Sequence, residues 1–320
     1  MKAEMALNRL ILDTDGGVDD AQALLLLIAA GRPPIAVTTV YGNVDLEAAT
    51  RNVLATLAVA GAAIPVHVGA AEPLVDARID ARHVHGEDGL GGAPRPARTA
   101  EVAGSDAVGF LVSTLAAASA TDERIDLLTI GPLTNLALAL QRAPDIARGI
   151  GQLTIMGGTV HGRGNVTPAA EFNIFCDPEA ADIVFGLAVD ITVVPWETCL
   201  AHGLSGAEID RMFASVANSE YKAFAQALVQ HDRNRHVQSG KGDGFYLIDP
   251  LAAAVAIEPA IVTRSLRASV KVALAPGVTR GMTVIDPSGR LGPPAVTVVE
   301  QARLDRLAEL YAASVAYVPR

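Results

Sequence analysis

From residue 10 to residue 194, short apolar runs take turns with longer segments of helical period. The runs at 10–12, 35–40, 65–68, 125–130, 153–156 and 190–194 read as buried strands. The segments at 19–30, 45–60, 105–118, 132–141 and 178–185 read as helices; acidic residues open the first and Gly31 follows its end. This alternation predicts a mostly parallel sheet with helices on both faces. Ligands of such sheets bind beyond the carboxyl ends of the strands. Two stretches break the pattern: 71–104 is rich in Gly, Pro and Arg, and 157–173 is Gly-rich and ends in Glu171-Phe172-Asn173. Long loops inside compact domains are usually functional or disordered. Residues 204–237 turn helical, 261–272 and 282–285 suggest late strands, and 300–316 a last helix. With no internal repeat, low-complexity tract or linker, residues 1–320 are expected to form a single α/β domain with a mostly parallel central sheet flanked by helices.

The bulk numbers narrow the partners. There are 25 basic and 35 acidic residues, a net charge of −10. Phosphate binding needs a basic face, so no nucleic-acid partner is expected. The longest apolar run, 21–30, is interrupted by Gln22 and too short to span a bilayer, so no membrane association is expected. Residues 1–9 are too few and too mixed for a signal peptide. Cys176 and Cys199 show neither metal-type spacing nor a disulfide framework, which suits a reducing, cytoplasmic setting.

The densest polar cluster is Asp13-Thr14-Asp15-Gly16-Gly17-Val18-Asp19-Asp20, four carboxylates in eight residues between a strand and a helix. Asp13 and Asp15 are two apart on extended chain and project together. Asp19 and Asp20 begin the helix, where the macrodipole favours anions, and the two glycines permit the turn. Converging carboxylates repel and call for a cation. Oxygen ligands without His or Cys select a hard ion, Ca²⁺ or Mg²⁺. An acidic helix cap accounts for one or two of these residues, not for all four and the strand before them. Asp-x-Asp-Gly after a strand also resembles phosphatases that form an aspartyl-phosphate, with Asp13 as nucleophile and Asp15 as acid. Lysine is scarce and no Gly-Asp-x-x-x-Asp run follows, which disfavours that reading.

Further motifs follow in order: Tyr41-Gly42-Asn43-Val44, His85-Gly86-Glu87-Asp88-Gly89-Leu90, Ile130-Gly131-Pro132-Leu133-Thr134-Asn135, Met156-Gly157-Gly158, Gly164-Asn165-Val166-Thr167-Pro168-Ala169-Ala170-Glu171-Phe172-Asn173 and Asp177-Pro178-Glu179-Ala180-Ala181. Each alone is weak. Together, in order and spacing, they resemble the nucleoside hydrolase family of inosine-uridine preferring nucleoside N-ribohydrolases, over most of the chain.

The resemblance implies a Rossmann-like fold with a helical insert near the active site. It implies calcium-dependent hydrolysis of the N-glycosidic bond of ribonucleosides to ribose and free base. Asp15, Asp20, Asp249 and the main-chain oxygen of Ile130 would hold Ca²⁺, with Asp13 supporting the loop. Asp15 would also be general base on metal-bound water. Asp19, Asn43, Asn165, Glu171, Asn173 and Asp249 would bind ribose, stabilising an oxocarbenium-like sugar. Phe172, Tyr246 and Ile248 would form the base pocket. A homodimer or homotetramer is the implied assembly.

Two positions depart from the family pattern. Gly16 stands where Pro is usual, and Ile248 where many relatives carry the His that protonates the leaving base. His85 is the candidate replacement acid, with Tyr246 and His236 as further candidates, and Trp196 is expected to pack. Taken alone, Asp249-Pro250 and Asp177-Pro178 each read as a helix N-cap followed by Pro at the first helical position. The preferred base stays open. A hydrolase of another ribosyl compound and a non-catalytic nucleoside- or ribose-binding protein are the competing readings; Asp15 favours an enzyme.

Overall fold

The computed structural model describes residues 8–319. The expectation of no signal peptide therefore falls mostly on residues outside those described. Strand β1 (Arg9–Thr14) leads into helix α1 (Val18–Ala29), then β2 (Ala36–Thr39), α2 (Leu46–Val59) and β3 (Val66–Val68). After the short α3 (Arg82–His85) come α4 (Ala107–Ala120), β4 (Ile125–Thr129), α5 (Thr134–Arg142) and β5 (Ile150–Met156). Next are α6 (Phe172–Cys176), α7 (Pro178–Phe185), β6 (Asp190–Val194) and α8 (Trp196–Leu200). The insert holds β7 (Gly203–Ser205), α9 (Gly206–Ala214), α10 (Glu220–Gln238) and β8 (Gly244–Tyr246). The chain ends in α11 (Ile248–Ile257), β9 (Val262–Val272), β10 (Thr283–Asp286), β11 (Ala295–Ala302) and α12 (Leu304–Val315).

Nine strands form one sheet in the order β10-β9-β11-β6-β5-β4-β1-β2-β3. From β3 to β11 every neighbouring pair is parallel; β9 then runs antiparallel to β11 and β10 antiparallel to β9. The chain builds β1, β2 and β3 outward in one direction, then returns to lay β4 on the other side of β1. That reversal opens a crevice beyond the carboxyl ends of β1 and β4, the place where such sheets bind ligands. The inner strands read as unbroken apolar runs because both faces are covered. One core packs α1, α11 and α12 on the sheet through residues such as Leu24, Leu251 and Leu307. The other packs α4, α5 and α7 through Leu115, Leu136 and Val184.

Several local expectations are corrected. The last helix does not begin at residue 300; those residues end β11, whose Val296, Val298 and Val299 are buried against neighbouring elements. Only Arg303 separates this strand from α12. Glu171 and Asn173 do not alternate on extended chain: Glu171 caps α6 and Asn173 lies in its first turn. Asp249 is not a helix cap. Leu247 occupies that position and Asp249 sits inside the first turn of α11, its carboxylate buried and not spent on the helix. Asp177 does cap α7, accepting from Ala180 N at 3.0 Å. Among the described residues no helix is long and apolar enough to cross a membrane.

Candidate functional site

The turn between β1 and α1 is tied together by its own carboxylates. Asp20 Oδ1 accepts from the Thr14 hydroxyl and from Asp15 N, and its Oδ2 accepts from Gly17 N at 2.8 Å. Gly16 adopts φ +66°, and a Cβ there would stand 2.6 Å from the Ala49 carbonyl oxygen of α2. The turn therefore needs glycine both for its left-handed backbone and for room. Beyond β2, Asn43 reaches back: its N–H donates to Asp15 Oδ2 at 2.8 Å, and its Nδ2 to Asp15 Oδ1 and Asp20 Oδ2, each at 3.0 Å. Asp13 points into the sheet, accepting from the Thr38 hydroxyl and from Asn135 Nδ2. Its other oxygen is buried with no partner among the described residues, and burial pushes its pKa up to about 6.

Asp19, Asp20 and Asp249 each bring one oxygen within 4.8 Å of the others. Asp15 is not part of this trio; both its oxygens face Asn43. Burial pushes Asp19 up to about 6, and Asp19 Oδ1 is buried with no hydrogen-bond partner among the described residues. Burial, then the charge of Asp19, raise Asp20 and hold Asp249 well above the carboxylate range. Burial, then the charge of Asp20, do the same to Asp15. Such a set ionises together only when a positive charge joins it. Its donors are all oxygen, which fits a hard divalent cation.

The second half of the site comes from β5 and α6. Asn173 Nδ2 donates to the carbonyl oxygens of Ile130 at 3.1 Å and Met156 at 3.2 Å. Glu171 accepts from Asn173 N, Ile174 N and Gly158 N, so one carboxylate holds both the helix and the loop after β5. Burial nevertheless pushes it up to about 7. Asn165 Oδ1 accepts from Phe172 N at 2.8 Å and closes the Gly-rich loop over α6.

These groups border a cavity of about 580 Å³. Asp19, Asn43, Asn165, Glu171, Asn173 and Asp249 line it with Ile130, and Phe172, Tyr246 and Ile248 share it. Asp15 and Asp20 are fully buried beside Asn43, at the edge of this lining. Trp196, expected only to pack, both packs on the core and lines the cavity. The sequence reading passed over Asp232 and Arg235 of α10, which also line it. They read there as an ordinary polar helix face.

The candidate acids are placed differently from one another. His85 Nδ1 accepts from Val18 N at 3.1 Å and lies 3.6 Å from Asp19 Oδ1. Burial pushes its pKa down to about 4. The ring is neutral at pH 7, carries its proton on Nε2, and completes the first turn of α1. His236 Nδ1 donates to the Gly244 carbonyl at 2.9 Å, and its Nε2 faces the Arg235 guanidinium at 3.4 Å. Both its nitrogens are engaged within the fold. Tyr246 meets the His236 ring edge-on, with centroids 5.0 Å apart.

Residues 10–309 match the family described as inosine-uridine preferring nucleoside hydrolase. The inosine-uridine preferring nucleoside hydrolase of Leishmania major is 36% identical over 285 residues, covering 87% of this chain and 87% of that protein. The non-specific ribonucleoside hydrolase RihC of Shigella boydii is 38% identical over 287 residues, covering 89% and 90%. Among solved structures, a plant nucleoside hydrolase, the PpNRh1 enzyme, superposes with a TM-score of 0.87 at 32% identity, covering 97% of this chain and 99% of that one.

Proposed function

This chain belongs to the inosine-uridine preferring nucleoside hydrolase family, and from that premise we propose that it hydrolyses the N-glycosidic bond of ribonucleosides with a divalent cation, Ca²⁺, at the Asp19–Asp20–Asp249 cluster. The observation that carries this reading is the convergence of those three carboxylates beside a cavity whose other polar groups suit a sugar. Of that cluster Asp20 and Asp249 are the ligands we assign, joined by Asp15 and the Ile130 carbonyl beside it, while Asp19 is left for the ribose. When bound, the cation supplies the positive charge that lets these carboxylates stay ionised and makes water a stronger acid.

The chain's own residues do the rest. Asp15 takes the proton of the attacking water, with Asn43 fixing its orientation through two hydrogen bonds. Asp19, Glu171, Asn173 and Asp249 hold the ribose hydroxyls, with Asn165 and Asn43 beside them, and their negative charge stabilises the oxocarbenium-like sugar. Phe172, Tyr246, Ile248 and Trp196 enclose the base. The base leaves with a proton, and no imidazolium stands ready to give it: His85 is neutral at pH 7 and Ile248 has no proton to offer. His85 Nε2–H is the donor we retain on that side.

Ribose release from inosine, uridine, adenosine and cytidine, measured in chelator and after adding back Ca²⁺, tests this reading. Release is expected to stop in chelator and return with Ca²⁺. Undiminished release in chelator would remove the cation, and no release from any nucleoside would remove the activity. A homodimer or homotetramer in the cytoplasm is the setting we propose with it, supported by the resemblance and checked by light scattering and by fractionation.

A further inference from the structure

Helix α10 sends two charged side chains, Asp232 and Arg235, into the cavity one helical turn apart. They form only a long ion pair. Arg235 Nη2 stands 3.8 Å from Asp232 Oδ1, beyond hydrogen-bond length. Arg235 Nε is buried and has no hydrogen-bond partner among the described residues. Among the described residues the guanidinium's one hydrogen-bond contact is the 3.4 Å approach to His236 Nε2. Among the described residues Asp232 accepts no hydrogen bond, although its side chain is only 13% exposed. Burial, then the charge of Asp19, push its pKa up to about 7, as expected of a carboxylate given no donors.

Asp232 is half-buried and the Arg235 side chain is 32% exposed, so both reach the cavity beside Trp196, Leu200 and Ile248 with hydrogen-bonding capacity left for a ligand. When ionised the carboxylate can only accept, and the guanidinium can only donate. The sugar already has its own set of groups, so the part of the substrate left for this wall is the base. Its flat faces suit the apolar and aromatic side chains; its edge needs a donor and an acceptor side by side.

We propose that Asp232 and Arg235 are specificity-determining residues that read the edge of the base, Asp232 accepting from an N–H and Arg235 donating to the adjacent acceptor atom. This rests on the nucleoside hydrolase reading above. Two kinds of base carry that pair. Uracil and hypoxanthine present a ring N–H beside a carbonyl; cytosine and adenine present an amino group beside a ring nitrogen.

The test compares kcat/KM for uridine against 3-methyluridine, inosine against 1-methylinosine, and cytidine against N4,N4-dimethylcytidine, in the wild type, Asp232→Ala and Asp232→Asn. In the wild type at least one pair is expected to differ by about tenfold or more, the size of a charge-assisted hydrogen bond. In Asp232→Ala that ratio should fall towards one. In Asp232→Asn, whose amide oxygen still accepts, it should fall only in part. The pair that collapses says which edge is read. A ratio near one for every pair in the wild type, or a ratio that persists in Asp232→Ala and Asp232→Asn, would overturn the proposal and leave the nucleosidase reading standing. If the wild type cleaves neither these nucleosides nor p-nitrophenyl riboside, that reading itself has failed and this one falls with it.

Discussion

Asp15 is held by both oxygens, and both contacts come from Asn43. Gly42 makes this approach available, because a Cβ there would overlap the Asp15 carboxylate. A general base needs one fixed orientation, and a backbone N–H with a side-chain amide supplies it. Asp15→Asn keeps the shape and removes the basicity. It is expected to lower kcat for ribose release about 10²–10⁴-fold at saturating Ca²⁺; near-wild-type kcat would take Asp15 out of that role. The four carboxylates of this loop were legible in the sequence because their density exceeded what a helix cap explains. Asp249 was harder to read. Asp-Pro suggests a cap by local rules, yet the helix starts two residues earlier than that, at Ile248, and leaves the carboxylate to the cavity. Asp232 and Arg235 gave no signal at all, because a charged pair one turn apart on a helix normally faces water.

At the level of elements, the strand-helix alternation up to β6 was readable because buried parallel strands carry uninterrupted apolar runs. The antiparallel end of the sheet was read less well. Residues 295–302 mix buried valines with Thr297, Glu300 and Gln301, and irregular register against β9 near Gln301 disrupts their period. The insert carries a different kind of information. Arg233 of α10 donates to both oxygens of Asp243, just before β8, at 2.8 Å each, and to Asp210 of α9 at 2.6 Å. One buried guanidinium thus fixes the helix bearing Asp232 and Arg235 relative to the strand bearing Tyr246. Both partners are more than half exposed, at 66% and 52%, so solvent screens the gain. Arg233→Ala is expected to cost about 1–2 kcal/mol, counting the charged hydrogen bonds at a discount. It should also raise KM for nucleosides several-fold with a smaller change in kcat. Thermal melts and steady-state kinetics check both; an unchanged KM would show that the base wall does not depend on this tie.

Across the whole molecule, the acidic excess of 35 over 25 basic residues has a counterpart inside, where Asp13, Asp15, Asp20, Glu171 and Asp249 are buried close to the half-buried Asp19 and Asp232. Those in and around the cavity have raised pKa values: Asp13 and Asp19 at about 6, Glu171 and Asp232 at about 7, and Asp15, Asp20 and Asp249 above the usual range; burial also raises Asp177 at the start of α7. Their ordinary values are 3.8 for Asp and 4.5 for Glu. Between about pH 4 and 7 the folded metal-free protein therefore binds more protons than the unfolded chain, so stability falls as pH rises through that window. His85 works in the opposite sense. Its pKa drops from 6.5 to about 4, so its contribution is lost as pH falls through that range. His67 and His236 are lowered as well, also by burial, and Asp45 and Asp88 are lowered carboxylates that act in the same sense as the histidines; the cluster of raised carboxylates in and around the cavity outweighs them. In chelator, Tm is expected to be higher at pH 5.5 than at pH 8. Added Ca²⁺ should raise Tm more at pH 8 than at pH 5.5, because at the lower pH it must displace protons from its ligands. Melts at the two pH values, with chelator and with Ca²⁺, decide this. A Ca²⁺ shift of equal size at both, or a Tm in chelator that does not fall with pH, would mean that these carboxylates ionise freely without the ion and that the cluster was not built to hold one.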